Sequence, residues 1–397
     1  MREIKWIKIE DLDIHISDGN YSSKYPRSSE FVSSGVPFIR ANNFLNKSIS
    51  PKEMYFITPE KHQNLLKGHL KTGDVLITTR GDLGKTVIVP ESYNDANINA
   101  QIVLLRANPQ QIDPKFLIWC FDTKEVKFQI SQLQTGTALQ QLPVGKLLKI
   151  KIPIPPLEEQ KRIAEILDRA SSLISKRKDA IAKFDTLTQS IFIEMFGNPV
   201  TNPKKWERII LGDVIASASD GPHVSPKYAE AGIPFLSTRH IRHGRIDWTD
   251  LKFISPDEAE IQWKKCKPQR GDILYTKGGT TGIAATVDFD EPFAVWVHVA
   301  LLKTNKNKVE PKWLENMLNS SFCYQQSQRL THGIANRDLG LKRMTGIEMF
   351  LPPLSLQKQF AQRIEAVEKL KATHRTSLTE LQALFASLQH RAFRGEL

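Results

Sequence analysis

Cysteine is nearly missing from this chain: Cys120, Cys266 and Cys323 are the only three in 397 residues. They lie far apart, form no Cys-x-x-Cys pair and do not match one another, which argues against a disulfide framework and against structural zinc. Long apolar runs are missing too. None approaches the roughly 18 residues that span a bilayer, and the opening stretch from Met1 to Glu10 is charged rather than signal-like, so a cytoplasmic protein without membrane contact is expected. Nor is there a Gly-x-Gly-x-x-Gly loop, a His-Glu-x-x-His helix, a Gly-x-Ser-x-Gly elbow or an Asn-Pro-Pro-aromatic sequence of the kind amino-methyltransferases use. Acidic residues are in deficit, with 43 Asp and Glu against 55 Lys and Arg, a formal charge of +12. That balance makes a polyanion the first partner to consider.

What is present is a repeat. The same ordered residues return about 197 positions later. Gly35, Pro37 and Phe38 return as Gly232, Pro234 and Phe235; Leu104, Leu105, Pro114, Lys115 and Leu117 return as Leu301, Leu302, Pro311, Lys312 and Leu314. Gly73, Asp74, Leu76, Thr78, Gly81 and Gly84 recur one residue out of step as Gly271, Asp272, Leu274, Thr276, Gly279 and Gly282. Pro155, Pro156, Leu157, Gln160, Lys161 and Ala164 recur as Pro352, Pro353, Leu354, Gln357, Lys358 and Ala361.

Each copy has a mixed segment followed by a tail. β-rich runs such as Val75 to Thr79, Thr86 to Val89 and Ile102 to Leu105, punctuated by Gly, Asn, Asp and Pro, predict sheet-centred α/β domains. One or two helices are expected around Pro114 to Phe128 and around Pro311 to Gln328. In the first tail, apolar residues fall four and three apart at Ile163, Leu167, Ala170, Ile174, Ile181, Phe184, Ile191 and Met195, with Arg177 and Thr188 interrupting. The second tail repeats this at Phe360, Ile364, Val367, Leu378, Leu381, Phe385, Leu388 and Ala392, with Lys371 and His374 interrupting. These are heptad seams. A seam this narrow requires a partner helix, and two equivalent tails would pack antiparallel about a pseudo-two-fold axis. The expected segments are residues 1–152, a first domain; 153–198, a first long helix; 199–349, a second domain; and 350–397, a second long helix.

Two catalytic readings fail, one on spacing and one against the repeat. Gly81-Asp82-Leu83-Gly84-Lys85-Thr86 resembles the end of a phosphate-binding loop, but the position that must be glycine is Thr79. A hairpin turn accounts for its glycines. Asp122-Thr123-Lys124 supplies a nuclease-like Asp-x-Lys triplet whose counterpart is Asn319-Ser320-Ser321.

The loops hold groups suited to base edges and phosphates, since arginine reads guanine and asparagine or glutamine reads adenine. In the first copy these are Asn20, Tyr21, Lys24, Arg40, Asn42, Asn43, Thr79, Arg80, Lys85, Gln134, Thr137, Gln140 and Gln141. In the second they are His223, Lys227, Arg239, His240, Arg242, Lys277, Thr280, Thr281, His332, Asn336 and Arg337. The sets share location but not identity: Arg239 stands where the first copy has Asn42, and Arg337 where it has Gln140. Like scaffolds with unlike loops would read two different short sequences.

Taken together, the pattern resembles the specificity subunit of type I restriction-modification systems, over nearly the whole chain. The residues that carry the resemblance are the Gly-Asp-Val/Ile-Leu strands at Gly73 and Gly271 and the Pro-Pro-Leu-x-x-Gln helix starts at Pro155 and Pro352. The family's Gly-Thr-rich loop is Thr135-Gly136-Thr137-Ala138 here, and departs to Gly333-Ile334-Ala335-Asn336 in the second copy. The resemblance implies two target-recognition domains joined by an antiparallel coiled coil, and a non-catalytic bacterial or archaeal chain that reads a bipartite, asymmetric site on double-stranded DNA. It further implies recruitment of two copies of an adenine methyltransferase (modification) subunit and of endonuclease/translocase (restriction) subunits. S-adenosylmethionine, Mg2+ and ATP would belong to those partners, with no cofactor or metal held by this chain. The helices would then act as a ruler between half-sites about one duplex turn, roughly 34 Å, apart. The composition leaves two other readings open: a protein-protein adaptor with a dimerising coiled coil, and a stand-alone nuclease with an unrecognised site.

Overall fold

Strands buried on both faces organise each half of the molecule. The computed structural model describes residues 4–21, 25–137, 139–334 and 336–397. They form two compact units, residues 1–178 with 376–397, and residues 179–375. In the first unit an antiparallel sheet runs in the order Ile14–Asp18, Ile102–Ala107, Val75–Thr78, Thr86–Ile88. Successive side chains of a strand point to opposite faces. Val75, Ile77, Val103 and Leu105 therefore enter one core with Phe116, Leu117 and Phe121, while Leu76, Ile102 and Leu104 enter another with Val87 and Ile98. This double burial explains why these strands read as unbroken apolar runs. A smaller sheet, Asn97–Ile98, Val36–Ile39, Tyr55–Ile57, Phe31–Val32, packs alongside and includes one parallel pair.

The second unit repeats this plan. Its main sheet is Ile215–Asp220, Val299–Thr304, Ile273–Thr276, Ala284–Thr286. Ile273, Tyr275, Ala300 and Leu302 face one core; Leu274, Val299 and Leu301 face the other. The two-domain α/β class expected from the repeat is thus the observed one.

Each expected helical stretch is two short helices. Thr123 ends the first, Pro114–Cys120, and caps the second, Lys124–Leu133, by accepting from the Val126 amide. Ser320 does the same between Pro311–Leu318 and Ser321–Leu330. The glycines of the loop after Thr78 serve a hairpin: Thr78 N–H donates to Lys85 O and Gly84 N–H to Thr78 O.

The tails are continuous helices, Leu157–Phe196 and Leu354–Ala392, each beginning directly after its proline pair. The first spans about 60 Å at 1.5 Å per residue. All ten heptad positions are buried or half-buried in both. In the first unit Ile163 and Leu167 share a core with Phe385, Leu388 and Ala392. In the second unit Phe184 meets His374 edge-on at 5.1 Å and Phe192 meets Phe360 at 5.6 Å, so that rising numbers on one helix face falling numbers on the other. The seam breaks make polar contacts there. Lys371, 6% exposed, reaches Asp185 at 2.5 Å and Glu368 at 3.2 Å. A buried charge is tolerated only when paired, and pairing between helices fixes register. No helix among the described residues is long and apolar enough to cross a membrane.

Candidate nucleic-acid interface

One end of each main sheet gathers loops from distant parts of the chain. In the first unit Thr79 leaves its strand and donates both its N–H and its hydroxyl to Gln101 O, at 2.8 and 3.1 Å. Gly81 N–H donates to Gln140 O, and Leu142 N–H donates to Thr79 O. Tyr21 donates its hydroxyl to Ala100 O at 3.1 Å, and the Arg80 guanidinium sits 5.4 Å from its ring centroid. Burial, then the nearby Asp18 carboxylate, raises the Tyr21 pKa and keeps the phenol protonated as that donor. The loops around residues 20, 80, 100 and 140 therefore form one edge. Tyr21, Lys85, Thr137 and Gln140 are exposed on it, Arg80, Gln134 and Gln141 half-exposed, and Lys85 pairs with Asp82 at 2.6 Å.

The second unit assembles the same edge. Lys277 N–H donates to His298 O, Gly279 N–H to Arg337 O, and Leu339 N–H to Lys277 O. Its exposed residues are His223, Lys227, Thr280, His332, Asn336 and Arg337, with Arg337 donating to Gln328 Oε1 at 2.6 Å. Gly136 and Gly333, in the two Gly-containing loops, adopt φ of 89° and 88°. A Cβ at either would lie 2.3 Å from the carbonyl oxygen three residues on. The loop that departs in sequence thus keeps its turn. Ala138 and Ala335 lie outside the described residues, as does Lys24.

Several polar residues expected to face DNA are instead structural. Asn43 is fully buried; its Oδ1 accepts from Arg40 N–H at 3.0 Å and its Nδ2 donates to Ser50 O and Lys52 O. His240 occupies the matching turn, with Nδ1 accepting from Ser237 N–H at 2.8 Å, and burial lowers its pKa. Asn20 is likewise consumed, donating to Lys67 O and accepting from Leu66 N–H. Thr79 and Thr281 are buried, the latter 2.9 Å from the Thr331 hydroxyl. Lys277 is buried between Asp220 at 3.3 Å and Asp338 at 3.4 Å. A buried group with its hydrogen bonds filled has nothing left for a base. Arg40 lies 3.4 Å from the Tyr55 ring centroid and donates to Glu53 O, while Asn42 beside it is exposed. Arg239 donates to Asp250 O, and Arg242 faces Asp247 at 3.5 Å; both are exposed.

The sequence reading missed a groove of about 300 Å3 in the second unit, lined by Tyr228, Arg239, Lys252, Trp296 and His298. Lys252 stands 4.2 Å from the Tyr228 ring centroid. Aromatic faces beside cations suit nucleobases and phosphates. Also missed were repeated ion pairs: Asp18 with Lys67 and Asp220 with Lys265 at the sheet end, and Asp74 with Arg106 and Asp272 with Lys303 across the strands. The last two explain the aspartate of the Gly-Asp motif, which also accepts the amide three residues before it.

Residues 6–183 and 203–383 each match the model of the type I restriction modification DNA specificity domain. The chain belongs to that family. The specificity subunit of type I restriction enzyme MjaVIII from Methanocaldococcus jannaschii is 23% identical over 412 residues, covering 99% of this chain and 91% of that protein. The EcoKI specificity subunit of Escherichia coli is also 23% identical, covering 91% and 82%. The S subunit structure from M. genitalium superposes with a TM-score of 0.61 at 15% identity, covering 99% of this chain and 97% of that one. A chain solved in work on complex assembly and conformational transition of the type I R-M system gives a TM-score of 0.57 at 20% identity, covering 100% and 99%. The loop edges just described are therefore those of a type I specificity subunit.

Proposed function

We propose that this specificity subunit binds double-stranded DNA through the two loop edges, each reading one half of a bipartite, asymmetric target. It then directs adenine methyltransferase and endonuclease subunits to that target. The observation that carries the reading is the contrast between conserved loop geometry and changed side chains. The same backbone hydrogen bonds place Arg80 and Gln140 in one unit and Gly278 and Arg337 in the other. A shared frame that presents different donors and acceptors gives two specificities from one fold.

In this reading the chain holds the frame and does no chemistry. Two modification subunits dock on its duplicated helical surfaces, and the restriction subunits join for cleavage. Those partners bring S-adenosylmethionine, Mg2+ and ATP. Methylating an adenine requires flipping it from the stack, and a duplex gripped at two places offers a fixed frame for that step. The test is a genome-wide map of methylated adenines in cells with an active cognate modification subunit, with and without this chain. One bipartite motif that depends on the chain supports the reading; an unchanged map sinks it.

A further inference from the structure

We propose that the first unit carries a binding site for a zinc-class divalent cation, formed by His62, His69 and Asp95. One ring nitrogen of each histidine and an Asp95 carboxylate oxygen all lie within 4.8 Å of one another. The two rings meet edge-on with centroids 4.5 Å apart.

Hydrogen bonds behind the cluster fix which nitrogens face it. Asn97 donates through Nδ2 to Lys67 O, which turns its Oδ1 toward His62 Nδ1 at 2.5 Å. His62 Nδ1 is thereby engaged by Asn97, and its other ring nitrogen, Nε2, is 3.3 Å from Asp95 Oδ1. A nitrogen and a carboxylate oxygen at this distance are joined by a positive species, a proton or a metal ion. A tetrahedral ion with ligand bonds of about 2.0 Å separates its ligands by about 3.3 Å. His69 is arranged in the same way: its Nε2 donates to Leu65 O at 2.7 Å, which leaves Nδ1 as the nitrogen available to an ion. Metal-bound histidines characteristically donate their second N–H to a carbonyl or carboxylate, which orients the ring. Here an amide oxygen and a main-chain carbonyl fill that role.

The backbone supports the cluster from both sides. His69 and Asn97 form an antiparallel bridge, Leu70 N–H donates to Ala96 O, and Asp95 N–H donates to Leu70 O. Asp95 itself has a φ of 61°, in the left-handed region. Its side chain is 72% exposed, so it can swing to close the site and leaves room for water as a fourth ligand. Two imidazoles and one carboxylate favour Zn2+ or Co2+ over Mg2+ or Ca2+. The second unit has Ala259, Lys267 and Pro292 at the matching positions, so the site belongs to the first unit alone. Cysteine spacing could not reveal it, because no cysteine takes part and the ligands come from the short helix Pro59–Asn64 and two separate loops. A bound ion would brace the loop whose Lys67 carbonyl also accepts from Asn20, next to Tyr21 on the loop edge.

The test uses the full chain stripped with a chelator and titrated with CoCl2 and, separately, ZnCl2. The expected result is one equivalent bound, visible as cobalt d–d absorption, with a melting temperature raised by several degrees on adding zinc. His69→Ala and Asp95→Asn, both at positions less buried than His62, are expected to weaken binding at least tenfold and to remove the thermal shift. No saturable binding in the micromolar range overturns the proposal and leaves a proton between His62 and Asp95. Binding that survives both substitutions also overturns it, assigning the ion to histidines elsewhere.

Discussion

Gln160 and Gln357, one in each copy of the repeat, make the same three hydrogen bonds. Gln160 Nε2 donates to Gln111 O and Pro155 O while its Oε1 accepts from Asp113 N–H; Gln357 Nε2 donates to Lys308 O and Pro352 O while its Oε1 accepts from Glu310 N–H. Both side chains are essentially buried. The glutamine of the Pro-Pro-Leu-x-x-Gln motif is thus a rivet between the start of each long helix and the loop before a short domain helix. An unsatisfied buried group costs about 1–3 kcal/mol. Gln160→Leu is expected to destabilise its unit by about that amount or more, and Gln357→Leu likewise. Hydrogen exchange should show faster opening confined to the unit that carries the substitution. Unchanged protection at Asp113 and Phe116 in Gln160→Leu would rule out the rivet.

Acid should weaken the second unit through Asp220. Burial alone would raise the pKa of this carboxyl, but hydrogen bonds and charge from Lys265 and Lys277 outweigh it and hold the pKa below the usual value. A native pKa below the unfolded value, about 3.9, means a contribution fully present above that pH and lost as pH falls through the lowered native pKa. The stability gap between the wild type and Asp220→Asn, read from denaturant midpoints, is expected to be constant from neutrality to about pH 4 and to shrink below it. A gap that instead shrinks between pH 7 and 5 would assign the effect to another group.

Much of the scaffold was legible in sequence because its signals are periodic. Two-sided burial wrote Val75 to Thr78 as a continuous apolar run, and packing against another helix wrote Ile163 to Met195 as a heptad. The candidate site was less legible, because hydrogen-bonding capacity does not say where it is spent. Asn43 and His240 read as base contacts for the same chemistry that lets them cap their own turns, and capping depends on an amide three residues back being oriented toward them. Lys277 reads as a phosphate contact until Asp220, 57 positions earlier, is found beside it. Nothing in the sequence joins Tyr228 to Trp296, 68 positions on, until the fold lines one groove with both.

The two loop edges should be separable by mutation. Arg80→Ala with Gln140→Ala is expected to weaken or relax recognition of one half-site by about 1–3 kcal/mol per lost bidentate contact, and to leave the other half-site untouched. His332→Ala with Arg337→Ala should do the reverse. Asn43→Ala, by contrast, should lower stability before it changes sequence preference. Binding to duplexes randomised in one half at a time distinguishes these outcomes, and equal loss at both halves in either double variant would count against separate readers. Salt must be held fixed, since phosphate contacts alone change affinity steeply with ionic strength.

If the long helices set the distance between half-sites, their length should be written in the target. Each helix passes from one compact unit into the other, the first at residue 178 and the second at residue 375. Within the second unit Asp185 faces Lys371, which matches residues 175–181 of one helix to 375–381 of the other. Removing these heptads together keeps the seam in phase and shortens each helix by about 10.5 Å. At 3.4 Å per base pair that is about three pairs. Methylome mapping of the shortened chain with its modification partner is expected to return both half-sequences unchanged, with a gap about three base pairs smaller. Deleting only four residues from each helix would rotate the seam by half a heptad and should abolish binding rather than shorten the gap. A shortened chain that methylates the original spacing would show that the gap is set by the DNA or by the partner subunits and not by these helices.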